Sequence, residues 1–417
     1  MGNEKVTINS GISVTSNAGK GLSQGSIKDT VDNSKTAYIN NGTINIGGAN
    51  SSSTGIRVNH GTIENNSLVK MNDGIGLYGT NGSKITNKSN GVIDITSSSK
   101  YGVGISAFLS GKTAQDYGTD KLISKLVATS GGNLSSTIKT IDITNEGKIK
   151  IAGKGIGIYA NNNVVDPAYP HHNFNNHVTK ENAVVNNKAS LELGDESIGI
   201  LTKKATINLT GTGTNDISVG KKGIGVFADD SEVSLLSNYG IEVKDEGTGI
   251  FVKDGSQVSA GNLKLTYTGA KDKSAVGMFY DDDSNNIKTN DTNIELDDKT
   301  GTTEGLIALY VKKKSGAGKL VNTADIKGDK GYGIVTEGSE VDNTGNITFN
   351  NVISKDRPSV GMFSREHSGS FGNMRNSGTI TMGASSVGMY GHGIKNAGKI
   401  TVGDKGTAIY SMGGNVD

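Results

Sequence analysis

Three of the six histidines, His171, His172 and His177, stand together beside Asp166 and Tyr169. Imidazole and carboxylate groups in such numbers suit a transition metal. A ligand set needs a helix or strand to fix its spacing, and residues 161–188 (NNNVVDPAYPHHNFNNHVTKENAVVNNK) carry the period of neither, so no metal is expected. The rings of the same stretch are better candidates, because exposed aromatics anchor interfaces. Tyr169, His171, His172, Phe174 and His177 are therefore the predicted ligand- or partner-binding residues.

Asp281, Asp282, Asp283, Asn285 and Asn286 offer the hard oxygen ligands that calcium takes. The spacing and glycine of an EF-hand loop are missing, and so is the nonapeptide calcium repeat; a solvated acidic turn is the expectation. Lys312, Lys313 and Lys314 read as a solvated patch. No enzyme activity and no cofactor are expected. Ser256 and Ser368 lie next to a glycine but outside the Gly-x-Ser-x-Gly nucleophile motif. Glycosidase chemistry needs two carboxylates at a set separation across a cleft, and adjacency in the chain does not place Asp229 and Asp230 so. Gly-x-Gly recurs, but inside strand-like runs and not in the strand–turn–helix context that holds phosphate.

These residues are set among repeats. One motif is Gly-apolar-Gly-apolar-aromatic: residues 74–78 (GIGLY), 155–159 (GIGIY) and 223–227 (GIGVF), with degenerate copies at 247–251, 275–279, 359–363, 386–390 and 406–410. A second, Asn-x-Gly-x-apolar-x-apolar, opens at Asn145, Asn343, Asn376 and Asn396, in variant form at Asn238, and one residue short at Asn41. A short third element, such as 82–87 (GSKITN), lies between them. Apolar residues within each run alternate, which is the strand period. No set of three short strands buries its apolar face alone, but stacked sets do; that is the logic of a parallel β-solenoid.

Ile75/Leu77, Ile156/Ile158, Ile224/Val226, Val360/Met362 and Val387/Met389 are expected to face inward on one wall. Ile44/Ile46, Ile149/Ile151, Ile347/Phe349 and Ile400/Val402 are expected on another. The aromatics Tyr78, Tyr159, Phe227, Phe279, Phe363 and Tyr390 are expected to share a face with the glycines, either as an exposed strip or as rings packed at a corner. Asparagines repeated at one turn are expected to form an amide ladder. At a coil spacing of about 4.8 Å, roughly 15 coils give a rod about 70 Å long. Residues 109–138, 161–188 and 281–303 interrupt the repeat and are expected to be loop insertions in one continuous solenoid over 1–417.

Composition agrees and excludes. The 61 glycines are about twice the average usage, yet only 3 prolines accompany them, which rules out collagen. Proline would also delete ladder hydrogen bonds. With no cysteine, disulfide-stapled and cysteine–zinc domains are impossible. Lys+Arg of 42 against Asp+Glu of 41 gives a net charge of +1, so no nucleic-acid partner is expected. The first residues lack the basic and apolar regions of a secretion signal.

Residues 377–390 (SGTITMGASSVGMY) and 396–403 (NAGKITVG), with the repeats above, resemble the passenger regions of bacterial autotransporters, and among these the giant fusobacterial outer-membrane adhesins. The resemblance implies a right-handed parallel β-helix, displayed extracellularly on the bacterial surface as part of type V secretion. It implies attachment to host-cell receptor proteins, host glycans or partner bacteria, as a monomer. It also implies a translocator barrel as the sole membrane link; neither that barrel nor a signal belongs to this chain, which is read as a passenger fragment. A carbohydrate-active β-helix enzyme (a polysaccharide lyase or hydrolase) and a purely structural stalk segment are the alternatives.

Overall fold

The computed structural model describes residues 5–17, 19–23, 37–48, 53–59, 61–80, 82–96, 102–109, 139–163, 178–259, 261–281, 287–312, 319–367 and 370–413. Apart from one short 3-10 turn, Lys180–Asn182, these residues form strands and their turns. No helix among them is long and apolar enough to cross a membrane. The chain divides into two compact units, Met1–Leu209 with Asp230–Glu232, and Thr210–Asp229 with Val233–Asp417. Both are parallel β-solenoids. A coil has three short strands, each pairing with the same strand of the next coil, and 14 middle strands are described.

Ile141–Asn145, Lys148–Ile151 and Gly155–Asn161 make one coil of the first unit. Its three strands lie on what are termed here the asparagine, middle and glycine faces. Register is kept so that like stacks on like. Ile143 lies between Ile85 and Val185, Ile149 between Ile93 and Leu191, and Ile158 between Ile105 and Ile200. All nine side chains are buried. Each such burial contributes about 1.5–3 kcal/mol, and it is available only because a neighbouring coil covers the side chain.

The middle-face expectation holds for Ile44, Ile46, Ile149, Ile151, Ile347 and Phe349, all buried, whereas Ile400 and Val402 are half-exposed. The glycine face departs from strict alternation. Leu77, Ile158, Val226, Met362 and Met389 are buried as expected, and Val360 is too, but Ile75, Ile156, Ile224 and Val387 are half-exposed. The glycine itself turns inward. A Cβ on Gly104 would lie 2.5 Å from the Gly157 carbonyl oxygen and 2.6 Å from Ile149 Cγ2. The bare backbone therefore presses on the middle-face isoleucine, and two successive residues face the core. In the second unit Gly225 and Gly249 repeat this, with carbonyl oxygens of the next coil 2.6 and 2.5 Å from a would-be Cβ.

The amide ladder is present in each unit. In the first, Asn40 Nδ2 donates to Asn65 Oδ1 at 2.7 Å, and the chain continues through Asn87 and Asn145 to Asn187 at 2.8 Å per step. In the second, Asn290 donates to Asn322 at 2.7 Å, Asn322 to Asn343 at 2.8 Å, Asn343 to Asn376 at 2.9 Å and Asn376 to Asn396 at 2.8 Å. Asn40, not Asn41, takes the place in its coil. Leu209 occupies the register position beside Asn187 and ends the first ladder.

The interruptions are shorter than expected. Ala183–Asn187, Ile287–Asn290 and Thr292–Asp298 are strands in register with their neighbours. Most of 109–138, residues 164–177 and residues 282–286 lie outside the described residues. One excursion is visible in the second unit. Val360–His367 runs past its coil and pairs back on Ser370–Phe371 as an antiparallel hairpin.

Candidate ligand-binding surface

On the glycine face the residue after the buried aliphatic is an aromatic in most coils, and those rings point outward. Parallel register then stacks the rings. In the second unit Phe227 and Phe251 lie 4.9 Å apart between ring centroids and nearly parallel, and Phe251, Phe279 and Tyr310 continue edge to face at 4.8 and 4.9 Å. A further run joins Tyr332 and Phe363 at 6.2 Å, Phe363 and Tyr390 at 5.2 Å, and Tyr390 and Tyr410 at 5.0 Å. Such pairs contribute about 0.5–1.5 kcal/mol beyond their buried area. The rings are half-exposed, Tyr410 the most so at 52%. They are neither a bare strip nor a buried corner, but rings packed on one another and partly open to solvent.

The two runs do not join. Tyr310 pairs in register with Val335, and Val335 with Phe363. In that coil the ring column holds a buried valine, and the aromatic, Tyr332, sits three residues earlier, beside Ile307. Beside this break lies a notch of about 440 Å³, lined by Ile307, Tyr332 and Phe363, with the buried Val335 at its edge. Arg357 and Arg365 stand at its rim, two of the chain's four arginines. The Arg365 guanidinium carbon is 5.8 Å from the centre of the Phe363 ring, within cation–π range. Arg365 is exposed, hydrogen-bonds with the Tyr310 hydroxyl, and makes no ion pair among the described residues.

The other arginine is held firmly. Its Nη1 donates to Glu304 and to the Thr303 carbonyl, and its backbone closes a tight bridge with Ser354. Glu304, hydrogen-bonded to it, raises the Arg357 pKa further above its ordinary value. Burial pushes the Tyr332 hydroxyl up, partly offset by Arg357, so the phenol is neutral at physiological pH. Asp272 and Glu246 add carboxylates on the far side, the second paired with Lys273 at 3.5 Å.

A second concavity of about 400 Å³ lies elsewhere in this unit, along an exposed amide ladder. Asn262 donates to Asn238, and Asn293 to Asn262, each at 2.8 Å. Lys264, Glu295 and Lys327 beside it are joined as ion pairs of 3.9 and 2.8 Å. Its polar groups are thus largely engaged with one another.

Tyr169, His171, His172, Phe174 and His177 lie outside the described residues, as do Asp282, Asp283, Asn285 and Asn286. Among the described residues no group of three or more His, Asp or Glu is placed to hold a metal. Asp229 and Asp230 do not face each other across a cleft. The first pairs with Lys253 at 4.0 Å and the second with Lys180 at 3.4 Å. Lys312 pairs with Glu337 at 3.3 Å. The ring positions were visible in the motif; the notch was not. One signal pointed towards it: three of the four arginines fall within residues 357–375.

No protein-family model, curated protein or solved structure matches the chain.

Proposed function

We propose that the chain works by binding rather than by turnover, as an extracellular display module of a bacterial surface adhesin. It attaches its cell to a host-cell receptor protein, a host glycan or a partner bacterium. The observation that carries this reading is the outward ladder of half-exposed rings in the second unit, interrupted by one open notch. A monomer has little reason to line up exposed aromatics in a row, and such rows mark interaction sites. The scaffold supports the same reading, because hydrogen-bonded coils present surface groups with little conformational freedom left to lose on binding. The autotransporter-like repeats supply the cellular setting.

Attachment of the purified chain to epithelial cells and to bacteria tests this. Phe251→Ala and Tyr390→Ala each remove one ring from a ladder. With far-UV circular dichroism unchanged, each is expected to cut the attached fraction about tenfold, the effect of losing one anchoring aromatic. Attachment equal to the parent chain in both variants would overturn the reading.

A further inference from the structure

The notch combines groups that rarely meet by chance in so arginine-poor a chain. Tyr332 and Phe363 offer ring faces, while Ile307 gives an apolar floor. Flat apolar faces of this kind suit the C–H face of a pyranose. Glu304, Glu246 and Asp272 ring the rim with acceptors for hydroxyl hydrogens. Arg357 is already engaged with Glu304, so it stiffens the wall. Arg365 remains: exposed, planar, poised over Phe363, hydrogen-bonded to the Tyr310 hydroxyl but without an ion pair among the described residues. A guanidinium fork matches a carboxylate with two parallel hydrogen bonds, a geometry that an ammonium does not reproduce.

We propose that this notch is a binding site for a carboxylated sugar residue. The carboxylate sits on Arg365, the pyranose ring lies against Tyr332 and Ile307, beside the buried Val335, and the hydroxyls face the carboxylates of the rim. The volume of about 440 Å³ is within the range of small-molecule sites and holds one sugar with part of its neighbour. An acidic peptide would also seek Arg365. The three rim carboxylates repel a run of acidic side chains, however, and favour a ligand with one negative charge and several hydroxyls. The inference deepens the binding role proposed above and rests on it.

Two probes distinguish the sources of such a sugar: trigalacturonate for a uronate and 3′-sialyllactose for a sialate. Each is titrated into the chain alongside its carboxyl methyl ester, which keeps the shape and removes the charge. One acid is expected to bind at least about tenfold more tightly than its ester, the margin of a charge-assisted hydrogen-bond pair. Which acid binds identifies the source. Arg365→Met is expected to bring acid and ester to equal affinity, and Tyr332→Leu to weaken both. Arg57→Met serves as the control, since Arg57 also lies over a ring, Tyr78, but in the first unit; it is expected to leave binding unchanged. The proposal falls if neither acid binds, if ester and acid bind alike, or if a glutamate-rich peptide displaces the bound acid. Should it fall while Phe251→Ala and Tyr390→Ala still impair attachment, the adhesive role stands without this ligand.

Discussion

An asparagine inside a β-solenoid is stable only in company. Asn343 is fully buried; it accepts from Asn322, donates to Asn376, and gives its second amide hydrogen to the Gly345 carbonyl at 3.0 Å. Asn343→Ala leaves a donor on one side and an acceptor on the other without partners. The expected cost is about 1–3 kcal/mol, read as a lower urea midpoint. Asp245 is a second buried polar group with a distinct dependence on pH. The Ala270 amide donates to its Oδ1 at 2.6 Å, with Lys221 and the Tyr267 hydroxyl adding to the effect, and together they hold its pKa below the ordinary carboxylate value. A depressed folded pKa stabilises fully above the unfolded value and is lost as pH falls through the folded one. Stability of the second unit is therefore expected to fall as the pH drops below about 5 and on through the folded pKa. Asp245→Asn should lower the denaturation midpoint at neutral pH and flatten that acid limb. An acid limb as steep as the parent's would show that other carboxylates control it.

The strands show what a repeat reveals and what it conceals. Alternation correctly placed Ile149, Ile151, Ile347 and Phe349 in the core, because each middle-face strand is a plain period-two run. It misplaced Ile75, Ile156 and Ile224, because the inward glycine puts two consecutive residues on the core side, and period counting has no term for that. The amide ladder was legible where a single asparagine opens the motif, as at Asn145, and off by one at the doublet Asn40-Asn41, where residues 40–46 (NNGTINI) carry the full motif from Asn40 rather than from Asn41. The notch was not legible at all. It depends on Val335 standing between Tyr310 and Phe363, a relation that only the register supplies. The glycine column also makes an asymmetric prediction. Gly104→Ala places a methyl group 2.5 Å from a carbonyl oxygen in the next coil, and is expected to cost about 1–3 kcal/mol by overpacking. Ala308 already occupies the same column in the second unit, fully buried. Ala308→Gly should therefore cost less, about 1 kcal/mol, through backbone entropy and a lost methyl contact. Equal costs, measured by urea denaturation, would mean that the glycine column is not set by close backbone approach.

A chain built this way has no single core. Each buried side chain touches its own coil and the two beside it, so stability is a sum of local terms and nearest-neighbour interfaces. Nothing at long range corrects a local lesion: the charges balance at +1 over 417 residues, and there is no disulfide. The effect of Gly104→Ala should accordingly stay near its origin. Native-state hydrogen exchange distinguishes local from global opening. Protection is expected to drop in Gly102–Phe108, which carries the change, and in its register partners Gly74–Thr80 and Gly155–Asn161. It should be retained in Lys319–Asn322 and Glu340–Asn343, strands of the second unit. The outward rings and the notch belong to that second unit as well. The variant is therefore also expected to keep its binding of the acidic sugar while its first unit loosens. A uniform loss of protection in both units would show one cooperative body instead, in which a packing defect anywhere weakens the recognition surface too.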